Sequence, residues 1–361
     1  MAKFAIIGAG NAGLTMAAHL KQVGGEVSLY DVVEAQLTPI IDNNRVITVS
    51  GINLVGAYEL DQATMNLAEA IEGAELIVCV TPAHTHKFVA RDLADHLVSG
   101  QILMLHPGRT GGALEVHKVL KEENCRADIL VIEAQTLLYA ARKDGASVNL
   151  FGLKKQVSCA GLPNEESQRF FDLIQPLIPQ FVPAPTIWHT SLHNIGMLFH
   201  PTPTLLNLGR MESKQPFEYY TDGFTPSIAG LVEKLDAERL AVAAAMGVTL
   251  PSVVEWLESS YGVVGQNLYQ ALQVAANYQG IAAPLLANID DKKRLRYVIE
   301  DVPTGLVPVS ALGKKFDVET PAIDTIINLA NILFEADFRA SGRNLDQLGL
   351  SQLSQEEIIT L

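Results

Sequence analysis

The possible folds of this chain are constrained most strongly by six residues near its start, Gly8-Ala9-Gly10-Asn11-Ala12-Gly13. They follow the short apolar run Phe4–Ile7 and open an amphipathic stretch, Ala12–Gln22, so the order predicts a strand, a tight turn and a helix. The three glycines of this pattern permit the turn, the approach of a pyrophosphate to the backbone, and close packing of helix on strand. The helix N-terminus adds free N–H groups and a positive dipole end. The predicted dinucleotide-binding residues in this segment are Gly8, Gly10, Asn11, Ala12 and Gly13.

An acidic residue lies where the second strand of such a unit should end. Asp31 follows the run Val27–Tyr30, 18 residues after Gly13. A carboxylate there accepts hydrogen bonds from the ribose hydroxyls of NAD and repels the 2′-phosphate of NADP. Because Val32 and Val33 provide no arginine for a phosphate, the sequence favours NAD. NADP stays possible if a cationic side chain reaches this place from elsewhere in the chain.

Two further strand ends are expected at the same edge of the sheet. Thr81 and Pro82 follow the predicted strand Leu76–Val80, and a glycine-rich segment, 106–112, follows the predicted strand Ile102–Leu105. Ligands of open α/β sheets lie outside the carboxyl ends of the strands, so Pro82 is a further candidate contact of the cofactor. Segment 106–112 either lies against the nicotinamide or the phosphates, or is an ordinary turn between strand and helix.

The sequence pattern changes near residue 185. Before it, short apolar runs alternate with amphipathic stretches, which is typical of a parallel sheet covered by helices on both faces. After it, long helical patterns such as Thr225–Met246 and Pro321–Arg339 replace the strand-like runs. We therefore predict an α/β protein with a Rossmann-type, doubly wound parallel sheet in a dinucleotide-binding domain, 1–185. A mostly α-helical substrate and catalytic domain, 186–361, should follow. The remaining predicted strands are Ile129–Ile132, Ala146–Leu150 and Gln156–Cys159.

Composition excludes several classes of protein. The 361 residues include 26 Lys and Arg against 40 Asp and Glu, a formal net charge of −14, which argues against nucleic acid as a partner. An apolar share of 48% with 18% charged residues indicates a globular chain. The three cysteines, Cys79, Cys125 and Cys159, are far apart and suit a reducing cytoplasm. Histidines and prolines interrupt the most apolar later stretch, 188–208, so no membrane span is expected.

Three histidines lie close together in the second half of the chain. His189 and His193 have the spacing of two metal ligands on a helix, but Thr-Ser-Leu between them lacks the glutamate of H-E-x-x-H. We therefore predict no metal site. His200 differs because Pro201 follows it, so a helix ends or kinks there and could aim the imidazole into a cleft between the domains. By itself, such a histidine is either a general acid–base or a structural side chain.

Another group of ionisable residues lies in segment 294–305, beside a short strand-like apolar run. Arg296 and Asp301 have two readings there. They form a surface ion pair, or Asp301 orients a histidine while Arg296 binds a carboxylate with its planar donor fork. Composition does not choose between these readings.

Taken together, these segments resemble the opine dehydrogenases of the octopine/nopaline dehydrogenase type. The likeness extends over essentially the whole chain. The runs H-P-x-P-T-L-L-N from His200 and E-D-V-x-T-G-L-V-P from Glu300 are far more specific than the glycine pattern. The other segments that carry the likeness are Gly8–Gly13, 106–108, 110–115, 189–192 and 234–239.

The resemblance implies a function and assigns residues to it. In this family NAD(P)H reduces the imine formed from a 2-oxo acid, commonly pyruvate, and the amine of an amino acid. The product is an N-(1-carboxyalkyl) amino acid, and the reaction also runs in reverse. The likeness places the catalytic histidine at His200, its partner aspartate at Asp301 and the nearby arginine, a substrate contact, at Arg296. Thr204 is a further candidate substrate contact, and a homodimer is the expected assembly.

Two other functions stay open from the residues alone. The first is another NAD(P)-dependent reductase, acting on a 2-oxo acid or a polyol phosphate. The second is a non-catalytic NAD-binding sensor in which His200 and Asp301 are structural. Oxidation of NADH that depends on an amine would distinguish the opine-type enzyme from the first, and dinucleotide binding without turnover would favour the second.

Overall fold

The computed structural model describes residues 2–361, which form two compact units. Residues 2–191 with Leu361 make the first unit, and Leu192–Thr360 make the second. Within the described residues, no helix has both the length and the hydropathy needed to span a bilayer.

A large sheet and a smaller one, together with seven α-helices, build the first unit. The strands are β1 (Lys3–Ile7), β2 (Glu26–Tyr30), β3 (Val46–Gly51), β4 (Gly56–Glu59), β5 (Gln62–Thr64), β6 (Leu76–Cys79), β7 (Ile102–Leu105), β8 (Leu130–Ala134), β9 (Tyr139–Asp144), β10 (Ser147–Leu153), β11 (Val157–Leu162) and β12 (Phe181–Pro183). The helices are α1 (Asn11–Gln22), α2 (Glu34–Asp42), α3 (Leu67–Ile71), α4 (His86–Leu93), α5 (Gly112–Glu122), α6 (Ser167–Ile174) and α7 (Ile187–Ser191).

The eight strands of the large sheet have the order β12-β11-β8-β7-β6-β1-β2-β5. Every neighbouring pair is parallel except β8 with β11, so the predicted doubly wound sheet is confirmed with one antiparallel pairing. Every residue of the central strands β6, β7 and β8 is buried, as expected for strands covered on both faces. The strand order reverses between β1 and β6, and a crevice for ligands opens at the carboxyl ends of such a pair.

A second sheet, of order β4-β3-β10-β9, was not predicted as a unit. Residues 147–150 of β10, within the predicted strand Ala146–Leu150, pair in parallel with β3 from about a hundred residues earlier. β3 was not among the predicted strands, although its β-branched residues Val46–Val49 are typical of one. Long-range pairing therefore decides this sheet.

The boundary between the units follows Ser191 rather than residue 185. Helix α7 belongs to the first unit because the hydroxyl groups of Thr190 and Ser191 both donate to Glu133 on β8, at 2.9 and 2.7 Å. A buried carboxylate needs such donors, so Glu133 ties α7 to the sheet.

Helices make up almost all of the second unit. They are α8 (Gly196–Phe199), α9 (Pro201–Leu206), α10 (Leu208–Glu212), α11 (Pro226–Ala245), α12 (Val253–Tyr261), α13 (Leu268–Val274), α14 (Arg296–Ile299), α15 (Val307–Lys315), α16 (Pro321–Phe334), α17 (Phe338–Ser341) and α18 (Gln355–Ile359). A π-helical turn, Val302–Leu306, lies between α14 and α15. The apolar run beside Arg296, which looked strand-like, belongs to helix α14, so that interpretation is wrong. An apolar run of three residues is too short to distinguish a strand from a buried helical turn.

Candidate active site

Each glycine of the first loop meets a different steric demand. Gly8 has φ +108°, a conformation that favours glycine, and a Cβ added at Gly13 would overlap the carbonyl oxygen of Gly8. A Cβ added at Gly10 would meet nothing within 4 Å, so open space lies over the N-terminus of α1, where Asn11 and Ala12 begin the helix. This loop fits a dinucleotide, because a pyrophosphate needs open space beside backbone N–H groups.

Asp31 lies at the end of β2 beside this loop. Its Oδ2 accepts the N–H of Ala9 at 2.7 Å and its Oδ1 accepts the N–H of Val33 at 2.8 Å. The two bonds fix the carboxylate at the position where ribose hydroxyls are bound in Rossmann folds.

The next strand ends lie at the same edge of the sheet. Pro82 follows β6, and a methyl carbon of neighbouring Thr81 is 3.2 Å from a Cβ added at Gly8, so the ends of β1 and β6 are adjacent. In segment 106–112, His106 accepts the N–H of Leu138 at 2.9 Å, and burial lowers the pKa of this histidine to about 3. These contacts give His106 a structural role in the sheet.

In the second unit, His200 and Asp301 come together across a hundred residues of sequence. Nδ1 of His200 is 2.8 Å from Oδ2 of Asp301, and Asp301 is 1% exposed. Pro201 begins α9 directly after His200, so the histidine lies at the junction of α8 and α9. Asp301 directly precedes the π-helical turn, a distortion that is frequent at functional sites. An imidazole bound to a carboxylate through Nδ1 has one defined tautomer, with Nε2 available for proton exchange.

Two tyrosines that the sequence did not point to hold His200 in place. The ring of Tyr297 stacks on the imidazole, with centroids 4.3 Å apart and planes 12° apart. The hydroxyl of Tyr219 donates to the backbone carbonyl of His200 at 2.8 Å. Tyrosines carry no spacing signal of this role, so only the folded structure identifies them.

Thr204, the further candidate substrate contact, has a hydrogen-bond partner within the protein. It is fully buried, and its hydroxyl is hydrogen-bonded to that of Tyr219 at 2.7 Å. Thr204 therefore supports Tyr219, which in turn holds the backbone of His200, and its role as a substrate contact stays a prediction.

Arg296 pairs with Glu300 and not with Asp301. Its Nε and Nη2 lie 2.9 and 2.7 Å from Oε2 of Glu300, while its side chain is 61% exposed. Within residues 2–361, Arg296 therefore forms its ion pair with Glu300, and the surface ion pair with Asp301 is absent. Because Glu300 orients a guanidinium that stays largely open to solvent, the geometry suits binding of an anionic ligand.

The other two histidines have separate surroundings. His189 is 3.0 Å from the hydroxyl of Thr186, and burial, with the charge of Arg239, lowers the pKa of His193 to about 4. Across residues 2–361, no group of three or more His, Cys, Asp or Glu side chains is arranged to hold a metal ion.

The segment 234–239 is explained by packing. Arg239 is fully buried, is bonded to Asp236 at 2.6 Å, and donates to the carbonyl of Leu192 at 2.9 Å. Glu238 accepts the first N–H groups of α16 at 2.7 and 2.9 Å. These contacts join helices of the second unit, so this part of the resemblance is structural.

Comparison with known proteins decides the family. Residues 183–334 match the family described as NAD/NADP octopine/nopaline dehydrogenase, alpha-helical domain, and residues 3–133 match the NAD-dependent glycerol-3-phosphate dehydrogenase N-terminus. The chain is 39% identical over 352 residues to the opine dehydrogenase of Arthrobacter sp. (strain 1C), covering 97% of this chain and 96% of that protein. This chain belongs to the opine dehydrogenase family. Opine dehydrogenases are NAD(P)-dependent oxidoreductases that reductively condense a keto acid with an amino acid, so the resemblance, the fold class and the enzyme class predicted above are confirmed.

A further relative is similar over nearly its whole length, and solved structures share the fold. The vitopine synthase of Allorhizobium ampelinum is 27% identical, covering 99% of this chain and 98% of that protein. Octopine dehydrogenase with NADH and L-arginine has a TM-score of 0.81 at 18% identity, covering 100% of this chain and 98% of that one. Yersinopine dehydrogenase with NADP⁺ has a TM-score of 0.78 at 15% identity, with the same coverage. At such identities the structures show a shared fold.

Proposed function

We propose that His200, Asp301 and Arg296 carry out the reductive condensation of a 2-oxo acid, pyruvate first among them, with the amine of an amino acid. The distance of 2.8 Å between His200 and Asp301 is the observation that carries the proposal. NADH, bound at the glycine loop and Asp31, supplies the hydride. The product is an N-(1-carboxyalkyl) amino acid.

His200 would manage the protons of imine formation. At Nε2 it takes a proton from the attacking amine and returns one to the hydroxyl group that leaves as water. Asp301 holds the ring in the required tautomer and stabilises its protonated form. Tyr297 keeps the ring plane fixed through its stacking contact. The group thus exchanges protons without losing its orientation.

Arg296 would hold the carboxylate of the oxo acid. Its planar fork binds two oxygens of a carboxylate, and its exposed side chain is accessible to a small anion. Glu300, itself buried, restricts the orientation of the guanidinium and so prepares it for binding.

The acid–base pair is tested by two single variants and their combination. His200→Ala should lower kcat by about 10²–10⁴, the usual contribution of a general acid–base, with NADH affinity unchanged. Asp301→Asn should also lower kcat, and the double variant should be little worse than His200→Ala. The assay is NADH oxidation with pyruvate and a panel of amino acids, with the product identified by mass. Near-normal kcat in His200→Ala would exclude the histidine from the mechanism.

We further propose that the enzyme acts in the cytoplasm as a homodimer. The three cysteines are free thiols, which suits a reducing compartment, and the dimer is expected from the family resemblance. Sedimentation of the purified enzyme at micromolar concentration tests the dimer, and a monomer throughout would contradict it.

A further inference from the structure

Lys143 of strand β9, in the small sheet, is hydrogen-bonded to the glycine loop Gly8–Gly13. The backbone N–H of Lys143 donates to Oδ1 of Asn11 at 2.8 Å, and its Nζ donates to the carbonyl oxygen of Ala9 at 2.7 Å. Lys143 therefore holds both the loop and the first residue of α1, although it lies more than a hundred residues after them in the sequence.

The ammonium group of Lys143 also reaches α2. Nζ donates to the backbone carbonyl of Gln36 at 3.1 Å and to its Oε1 at 2.7 Å. An ammonium has three N–H donors, and Ala9 and Gln36 supply three acceptors, so the group has a fixed position. Partial burial lowers the pKa of Lys143, and the nearby charge of Asp31 opposes this effect.

The bond to Ala9 determines the orientation of one peptide group. The C=O of Ala9 and the N–H of Gly10 belong to the same planar unit and point in opposite directions. Because Lys143 holds the C=O, the N–H of Gly10 points away from the ammonium group of Lys143. Asp31 accepts the N–H of Ala9, so the preceding peptide is fixed too. The side of Gly10 where a Cβ would lie is open space.

We propose that Lys143 is a positioning residue of the dinucleotide site, which holds the Ala9–Gly10 peptide so that its N–H is presented to the pyrophosphate. Lys143 is saturated by protein acceptors, so it acts through the loop and does not contact the cofactor. A loop that is ordered before binding loses less conformational entropy when the cofactor arrives. Its effect should appear in the affinity for the dinucleotide and not in the chemical step.

The decisive variant is Lys143→Met, which removes the three donors and keeps an unbranched side chain. We expect the Kd of NADH, measured by fluorescence titration without oxo acid or amine, to rise about tenfold or more, since charged hydrogen bonds are lost. NADPH should weaken by the same factor, because both cofactors share the pyrophosphate. At saturating NADH, kcat should stay within about twofold. The matched control is Arg142→Met. Arg142 is an exposed residue of the same strand, so this variant loses the same charge, and its Kd for NADH should stay within about twofold of the unmodified value.

Three outcomes would overturn the proposal. They are an unchanged Kd in Lys143→Met, a loss of kcat without a change in Kd, or a much larger loss for NADPH, which would assign Lys143 to the 2′-phosphate. If Lys143→Met does not fold, Gln36→Ala decides, because it removes one acceptor and should weaken NADH about two- to fivefold. An unchanged Kd in that variant would then refute the idea. Since binding is measured without the condensing substrates, the result is independent of the roles proposed for His200 and Arg296.

Discussion

At the scale of the residue, Asp31 combines a fixed carboxylate with an open surface. Backbone N–H groups of Ala9 and Val33 hold both oxygens, while the side chain of Val32 is 71% exposed. A negative charge fixed at this position accepts bonds from ribose hydroxyls and repels a 2′-phosphate. We therefore infer that the enzyme prefers NADH.

Cofactor preference should change when this charge is replaced. Asp31→Ser with Val32→Arg removes the repulsion and adds a phosphate-binding fork, so the ratio of kcat/KM for NADPH to that for NADH should rise by about tenfold or more. Steady-state kinetics with both cofactors measures the ratio. A higher kcat/KM for NADPH in the unmodified enzyme would contradict the inference.

Arg296 makes a second residue-scale prediction. Arg296→Lys keeps the charge and loses the bidentate fork, so the KM for pyruvate should rise about tenfold while the KM for NADH stays nearly constant. Arg294→Lys, an exposed change in the same segment, is the control and should leave both values unaltered. If pyruvate KM does not move, Arg296 is not the carboxylate contact.

At the scale of the element, two local distortions of helices bring His200 and Asp301 together. The first distortion lies in α9, where Pro203 has no N–H to donate to the carbonyl oxygen of Phe199, four residues earlier. The hydroxyl of Tyr219 lies 3.4 Å from that oxygen. On the other side, the π-helical turn packs against α8. A Cβ added at Gly305 would lie 2.5 Å from Cβ of Met197.

This close packing predicts the effect of a single methyl group. Gly305→Ala should destabilise the protein by about 1–3 kcal/mol, the usual cost of overpacking, and should also lower kcat by displacing Asp301 from His200. Gly230→Ala on α11, where a Cβ meets nothing within 4 Å, is the matched control and should be neutral or stabilising. Chemical unfolding and kcat are measured on both. Equal stability in the two variants would show that the π-helical turn adapts to the methyl group.

At the scale of the whole molecule, buried histidines make stability depend on pH. Burial lowers the pKa of His19 to about 4, that of His106 to about 3 and that of His193 to about 4. In an unfolded chain each titrates near about 6.5, so below that pH the unfolded state binds more protons than the folded one. The stability that these three neutral histidines provide is therefore complete above about pH 6.5. It is lost as the pH falls from there towards their lowered pKa values in the folded protein.

Urea unfolding at pH 7 and pH 5 measures this loss. For a histidine whose pKa falls from about 6.5 to about 4, linkage gives a loss on the order of 2 kcal/mol between these two pH values. His19→Gln should therefore reduce the pH dependence by up to that amount. Identical pH dependence in the unmodified protein and the variant would show that His19 is not held neutral.

Local interactions allow part of this fold to be predicted from the sequence. The glycine loop, α1 and the strand before Asp31 follow from turn geometry, helix periodicity and spacing within about thirty residues. The roles offered for His200, Asp301 and Arg296 came from the family likeness, because residue types a hundred positions apart carry no spacing signal.

Tertiary structure alone decided the rest. The pairing of β3 with β10, the reach of Lys143 to Ala9 and the stacking of Tyr297 on His200 all join distant segments. Such contacts depend on how whole elements pack, and a polar or aromatic side chain at an irregular position leaves no periodic trace in the sequence. The same reason applies to the hydrogen bond between Thr204 and Tyr219, because only the folded structure brings these two hydroxyl groups together.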